Sequence, residues 1–310
     1  MTTQQQVVQA PIPREVRLRE QANLVRRLHT GNAIAMGVLV VITTLVVLIF
    51  VSIIIWLIVQ GASTLINPAF YGMGEDGIAK ELYNTFYILI LSELFLFPIS
   101  LAAAIYLIEY ARPGPFVTAI HFAAETLAGV PSIVLGLFGF LIFGVVLHLG
   151  TSRLSGALTL LCLNFPLGLR LFEDALATVP REMREGGLAL GATKWHTIRT
   201  VVLPSALPGL ITGFILTAGK IIGEAAALIF TMGLFNPANV FTGDPGIASD
   251  TLTTRLYYIK GPGGGTLGLT PAQETAVAAG LAAVLILLLL VINLGARGLG
   301  RLIQRRITAA

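Results

Sequence analysis

Two basic residues, Arg170 and Lys220, interrupt otherwise apolar runs, and each has an acid close behind it: Glu173 three residues on and Glu224 four residues on. On a helix both spacings place the pair on one face. Charge inside a lipid-spanning segment is unfavourable and turns toward a polar cavity or a partner charge. Two readings stay open. The pairs are intrahelical salt bridges, or the cations line a path and attract an anion while the carboxylates temper that attraction so that the anion can leave. Other chemistry is not signalled. His29, His121, His148 and His196 are scattered without ligand spacing, so no metal is expected. No Ser, His and Asp grouping suggests a hydrolase, and no catalytic residue is expected. No G-x-x-x-x-G-K-[ST] occurs, and the glycine run at 261–265 lacks the lysine, so any energy must come from a partner or a gradient. Glu93 and Glu125 also fall in apolar runs, with no cation nearby in sequence.

The elements that position these residues are membrane spans. Of 310 residues, 55% are hydrophobic and 12% charged, with a mean hydropathy of +0.84, whereas soluble domains carry about 25% charge. Several apolar runs exceed the roughly 20 residues a helix needs to cross a bilayer. Six spans are expected, at 33–59, 82–108, 119–149, 154–179, 207–232 and 275–296. The first is too long for a signal-peptide core and reads as an uncleaved span. In the third, Gly129-Val130-Pro131-Ser132 is expected to kink or break the helix, because proline removes a backbone donor and crowds the preceding turn. Small residues at Gly209, Gly213 and Thr217, and at Gly219, Gly223 and Ala227, read as helix-packing stripes along span five. Cys162, the single cysteine, excludes an intramolecular disulfide and reads as a small buried hydrophobe.

With the N-terminus inside, fourteen basic residues fall on inner segments, among them Arg14, Arg26, Arg112, Arg181, Arg184, Lys194, Arg297 and Arg305. The outer loops hold four: Lys80, Arg153, Arg255 and Lys260. This asymmetry predicts both termini in the cytoplasm and accounts for a net charge of +4 without nucleic acid. The organisation expected is a cytoplasmic tail over 1–32, a first transmembrane helix over 33–59, a core of five further helices over 82–296 and a cytoplasmic tail over 297–310.

The inner loop at 180–204 is long enough to fold independently. Pro180 suits a helix start, Gly191 can end that helix in a left-handed conformation, and Thr193 can cap a second helix bearing Trp195, Ile198 and Val202. Apolar residues interspersed with Arg and Glu suit a helix docked in a partner's groove or one lying on lipid headgroups.

The loop reads Glu185-Gly186-Gly187, three residues, Gly191, nine residues, Val201, one residue, then Leu203-Pro204. This resembles the EAA loop of bacterial ABC-importer permeases, with glycines in place of the two alanines and Val201 in place of isoleucine. The paired glycines weaken a helix by about 1 kcal/mol each relative to Ala. Leu127-Ala-Gly129-Val-Pro131-Ser132-Ile-Val134 is similar to a signature of phosphate-importer permeases of the PstA type. Lys220-Ile-Ile-Gly223-Glu224-Ala225-Ala226-Ala227-Leu-Ile-Phe-Thr231 and Arg170-Leu-Phe-Glu173 are similar to two further stretches of that family, with Lys220 for arginine and Ala225 and Ala227 for threonine and proline. The resemblance covers about half of the chain.

It implies an all-α type I ABC-importer permease of about six transmembrane helices in the bacterial inner membrane. Arg170, Glu173, Lys220 and Glu224 would line the phosphate path. Glu185, Gly186, Gly187, Gly191, Leu203 and Pro204 would couple the chain to an ATPase. Implied partners are a homologous PstC-type permease, two PstB-type ATPases that bind ATP and Mg, a PstS-type phosphate-binding protein outside, and membrane lipid. Phosphate, unlike sulfate, keeps P–OH donors at neutral pH for a carboxylate to accept. Alternatives are a permease for molybdate, sulfate or phosphonate, or a gradient-driven carrier, against which the EAA-spaced loop argues.

Overall fold

The computed structural model describes residues 14–73, 77–234, 241–261 and 270–308. The first 13 residues of the expected N-terminal tail, the last two of the expected C-terminal tail and positions 262–265 of the glycine run lie outside them. Every element among the described residues is helical. Five helices are long and apolar enough to cross a membrane, within Leu28–Ile66, Ala79–Tyr110, Arg153–Ala177, Lys194–Gly223 and Pro271–Gly295. The pair Pro115–Ala128 and Ser132–Val146, bent by 102°, makes a sixth if counted as one span.

The chain divides into two units, Met1–Trp56 and Leu57–Ala310. The first unit is described from Arg14 onward as one helix, the start of α1 (Arg14–Ile66). From Leu28 its large apolar side chains are exposed. A helix with this much exposed apolar surface is stable only where lipid or protein replaces water, and lipid admits it because its backbone bonds are all internal.

The second unit begins with the end of α1, where Gly61 lies against the backbone of Ala279 and Gly280, and Thr64 donates to the Ala276 carbonyl at 3.1 Å. It continues through α2 (Ala79–Ile105), α3 (Pro115–Ala128), α4 (Ser132–Gly139), α5 (Arg153–Ala177), α6 (Arg181–Ala189), α7 (Lys194–Thr197), α8 (Leu203–Gly223), α9 (Ala226–Thr231), α10 (Leu252–Lys260) and α11 (Pro271–Thr308). A π-helical turn over Tyr106–Tyr110 extends α2, and another over Ile198–Val202 fuses α7 to α8. Pro98, Pro166 and Pro208 sit inside α2, α5 and α8 without ending them, as membrane helices allow when neighbours satisfy the freed carbonyls. Gly129 and Pro131 do break the third span. The Gly129 N–H turns to the carbonyls of Glu125 and Thr126, and Pro131 caps α4.

Helix α5 is the axis. Its Phe172 and Leu176 join Ala104, Val202 and Leu210 in one apolar cluster, and its Leu160 joins Ile88, Leu96 and Leu228 in another. Small residues permit close approach: Gly209 faces Ala175, Gly213 faces Phe172, and Gly136 lies on the backbone of Ala227. The expected packing role of the first stripe on span five therefore holds, and Thr217 adds a hydrogen bond to Glu93 at 2.7 Å. In the second stripe Ala227 packs, whereas a side chain at Gly223 would meet open space.

Four expectations need correction. Span five is not one helix: α8 stops at Gly223, Glu224 is extended, and α9 is a separate short helix. Arg153 is not a loop cation but the buried first residue of α5, 0% exposed. It donates to Ser249 Oγ at 2.9 Å, to Asn84 Oδ1 at 2.6 Å and to the Thr242 and Asp244 carbonyls, beneath the ring of Tyr87. Arg255 is likewise buried in α10 and pairs with Glu81. Cys162 is exposed on the outside of α5 rather than buried.

Candidate functional site

Arg170 and Glu173 leave α5 one turn apart, Lys220 leaves the last turn of α8, and His121 and Glu125 leave α3. Together with Asp174 they line one cavity of about 430 Å³, whose apolar wall includes Leu163, Pro166 and Leu167. Arg170, Lys220, His121 and Glu125 are exposed, so the cavity is open-sided; Glu173 is buried. Inside an apolar bundle, charged side chains left open in this way require water or a second chain to complete their surroundings.

Neither intrahelical pair is an ion pair among the described residues. Glu224 does not line the cavity. Because α8 ends before it, the spacing of four no longer places it on the face of Lys220. Its Oε1 instead accepts the Ala227 N–H at 3.2 Å, capping α9, and its carbonyl accepts from Thr253 Oγ1 at 3.0 Å. Glu173 turns to α3, where Oε1 lies 3.5 Å from His121 Nε2. At that separation no hydrogen bond forms, and the oxygen has no hydrogen-bond partner among the described residues; a protonated imidazole would make the contact an ion pair. His121 is the site residue that sequence spacing does not reveal, since it lies 52 positions from Glu173 on another helix. Glu125 reaches the cavity, whereas Glu93 is spent on Thr217 in the α2–α8 contact.

The loop folds as two helices. Helix α6 starts after Pro180 and runs through Glu185, Gly186 and Gly187 to Ala189. Gly191 stands at φ +82°, where only glycine is relaxed, and reverses the chain. Thr193 Oγ1 then accepts the His196 N–H at 3.3 Å and caps α7. A Cβ on Gly187 would stand 2.9 Å from Thr197, so this glycine lets the two helices touch; Gly186 faces open space. Leu203 and Pro204 form the half-buried first turn of α8. Glu185, Met183, Leu188 and Trp195 are exposed, and Leu190 is 91% exposed. This is an amphipathic surface of the size of one helical hairpin, held away from the bundle core.

A multi-pass helical bundle with a broken span, an open-sided charged cavity and a protruding two-helix loop defines the class as a membrane transport subunit. Residues 97–309 match the binding-protein-dependent transport system inner membrane component family, and the chain belongs to it. The chain is similar to the probable ABC transporter permease protein YqgI of Bacillus subtilis, 39% identical over 75% of this chain and 81% of that one. It is also similar to the phosphate transport system permease protein PstA of Mycobacterium leprae, 36% identical over 56% of this chain and 57% of that one. PstA of Xylella fastidiosa is 35% identical over 51% of this chain and 55% of its own. The matched region thus spans little more than half of these PstA proteins. Among solved structures, the inward-facing MetNI methionine transporter matches with a TM-score of 0.56 at 20% identity, over 73% of this chain and 95% of that one. A bacterial alginate ABC transporter matches with a TM-score of 0.57 at 17% identity, over 84% and 95%. The fold is accordingly that of type I ABC-importer permeases.

Proposed function

We propose that the chain is one of two homologous permease subunits of an ATP-driven importer of inorganic phosphate, and that it forms half of the translocation path. It is not itself an enzyme. ATP and Mg are bound by two PstB-type ATPase subunits, one of which docks on α6 and α7. A PstC-type permease closes the open side of the cavity, and a PstS-type protein delivers phosphate at the opposite end. Both termini face the cytoplasm of a bacterial inner membrane. The observation that carries the reading is the cavity, where Arg170 and Lys220 from separate helices stand exposed beside a buried Glu173. Two cations attract an oxyanion, and Glu173 accepts the P–OH donor that phosphate retains. Glu224, removed from that lining, acts by holding the α8–α9 break.

The test is uptake of radiolabelled phosphate by cells carrying the whole transporter. Replacing Arg170 and Lys220 together by Gln is expected to lower uptake about tenfold or more, a loss of roughly 1.4 kcal/mol, with the ATPase still co-purifying. Undiminished uptake would place the path elsewhere. Displacement of the label by molybdate or sulfate as readily as by phosphate would assign another oxyanion.

A further inference from the structure

Helix α6 contains no buried residue, so apolar packing does little to hold it to the bundle. Its mechanical tie is Arg184. The guanidinium donates through Nε to Glu109 Oε1 at 3.0 Å, and through its two other nitrogens to the carbonyls of Val179 at 2.9 Å and Leu176 at 2.7 Å. Leu176 lies in the last turn of α5, where its carbonyl also accepts the Val179 N–H at 3.3 Å. Glu109 lies in the π turn that ends α2, with its side chain 8% exposed. The loop's second helix holds the same point: Lys194 donates to the Glu109 carbonyl and stands 4.9 Å over the Tyr110 ring. Glu109 therefore fastens both loop helices to α2, while Arg184 fastens α6 to α5.

The need for such a tie follows from connectivity. Helix α7 runs through Ile198–Val202 into α8, so movement of the loop reaches Lys220 along a continuous backbone. Helix α5, which carries Arg170 and Glu173, is separated from α6 by Thr178, Val179 and Pro180. We propose that Glu109 is a positioning residue that, through Arg184, makes α2 and α5 move with α8 when the loop is displaced, so that both walls of the cavity change together. This inference rests on the reading of the loop as the ATPase dock. Without the brace the loop still docks and ATP is still hydrolysed, but its displacement is not passed in full to α2 and α5 and the anion is not moved.

The experiment uses the complete transporter in proteoliposomes and reads three quantities: ATPase co-purification, ATP hydrolysis, and phosphate accumulated per ATP consumed. For Glu109→Gln, which keeps an acceptor and removes the charge, the first two are expected at wild-type levels while phosphate per ATP falls about fivefold or more, the lower bound of ordinary coupling free energies. Arg184→Lys keeps the charge and loses the fork that reaches two carbonyls, and is expected to act in the same direction. An unchanged ratio in either variant overturns the proposal. Loss of the ATPase together with uptake overturns it in favour of a docking role, and failure of both variants to accumulate in the membrane reduces the brace to a folding element. If the wild-type chain retains no ATPase, the docking reading itself fails, and that result is separate from the variants' ratios.

Discussion

At the scale of single residues, the cavity joins charges whose relation depends on which helix each leaves. Glu173 faces His121 at 3.5 Å instead of Arg170 one turn away, which leaves the exposed guanidinium available to a ligand. A protonated imidazole offsets the Glu173 charge, and removing it leaves that charge uncompensated. His121→Leu is therefore expected to raise the KM for phosphate uptake about tenfold, equivalent to roughly 1.4 kcal/mol, because an uncompensated Glu173 repels the entering anion. His121→Gln, which keeps a donor, should do less. Transport kinetics in whole cells check this, and an unchanged KM for the leucine variant would remove His121 from the path.

At the scale of elements, the two loop glycines are not equivalent. Gly187 is required by contact, since a Cβ there meets Thr197 at 2.9 Å, whereas Gly186 has nothing within 4 Å. Gly187→Val is expected to spread α6 from α7 and abolish ATPase co-purification. Gly186→Ala should leave it intact and stabilise α6 by about 0.5–1 kcal/mol. Equal behaviour of the two variants in the pull-down would contradict the contact. The α8–α9 break teaches the same lesson in reverse: the largely apolar stretch over 207–232 conceals it, because Glu224 adopts an extended backbone to cap α9 and accept from Thr253. Neither partner is visible from local periodicity.

At the scale of the whole molecule, the end of the second unit opposite the loop is knit by buried polar groups rather than by apolar packing alone. Arg153 ties α5 to residues 242–249, and Asn84 Nδ2 donates to the Asp250 carbonyl at 3.0 Å. Burial pushes the Asp250 carboxyl up to about 7; the neighbouring Glu81 adds to the rise, and Arg255 and Lys80 oppose it. An acid with a raised value in the folded state binds its proton more tightly there. Its contribution to stability is complete below about pH 4, the unfolded value, and is lost as pH climbs to about 7. Thermal stability in detergent is expected to decline between about pH 4 and 7. Asp250→Asn should flatten that slope and raise Tm at pH 8 by about 2–4 °C for each kcal/mol recovered. An equally steep slope in the variant would assign the titration to another group.

Much of the fold is legible in the sequence itself. Apolar run lengths specify lipid as solvent and about six spans, because lipid admits only internally bonded helices. Gly129 and Pro131 mark the broken span through lost donors and crowding, and Gly191 and Thr193 mark the loop's turn through local backbone chemistry. The spacing from Glu185 to Pro204 marks the loop proposed as the ATPase dock. Long-range convergence was not legible. That Arg170 and Lys220 share a cavity with His121, that Glu224 leaves it, and that Glu109 meets Arg184 across 75 positions all depend on which helix faces pack together. Packing of that kind is decided by contacts such as Gly209 on Ala175 and Gly213 on Phe172, which join residues with no local relation in the chain.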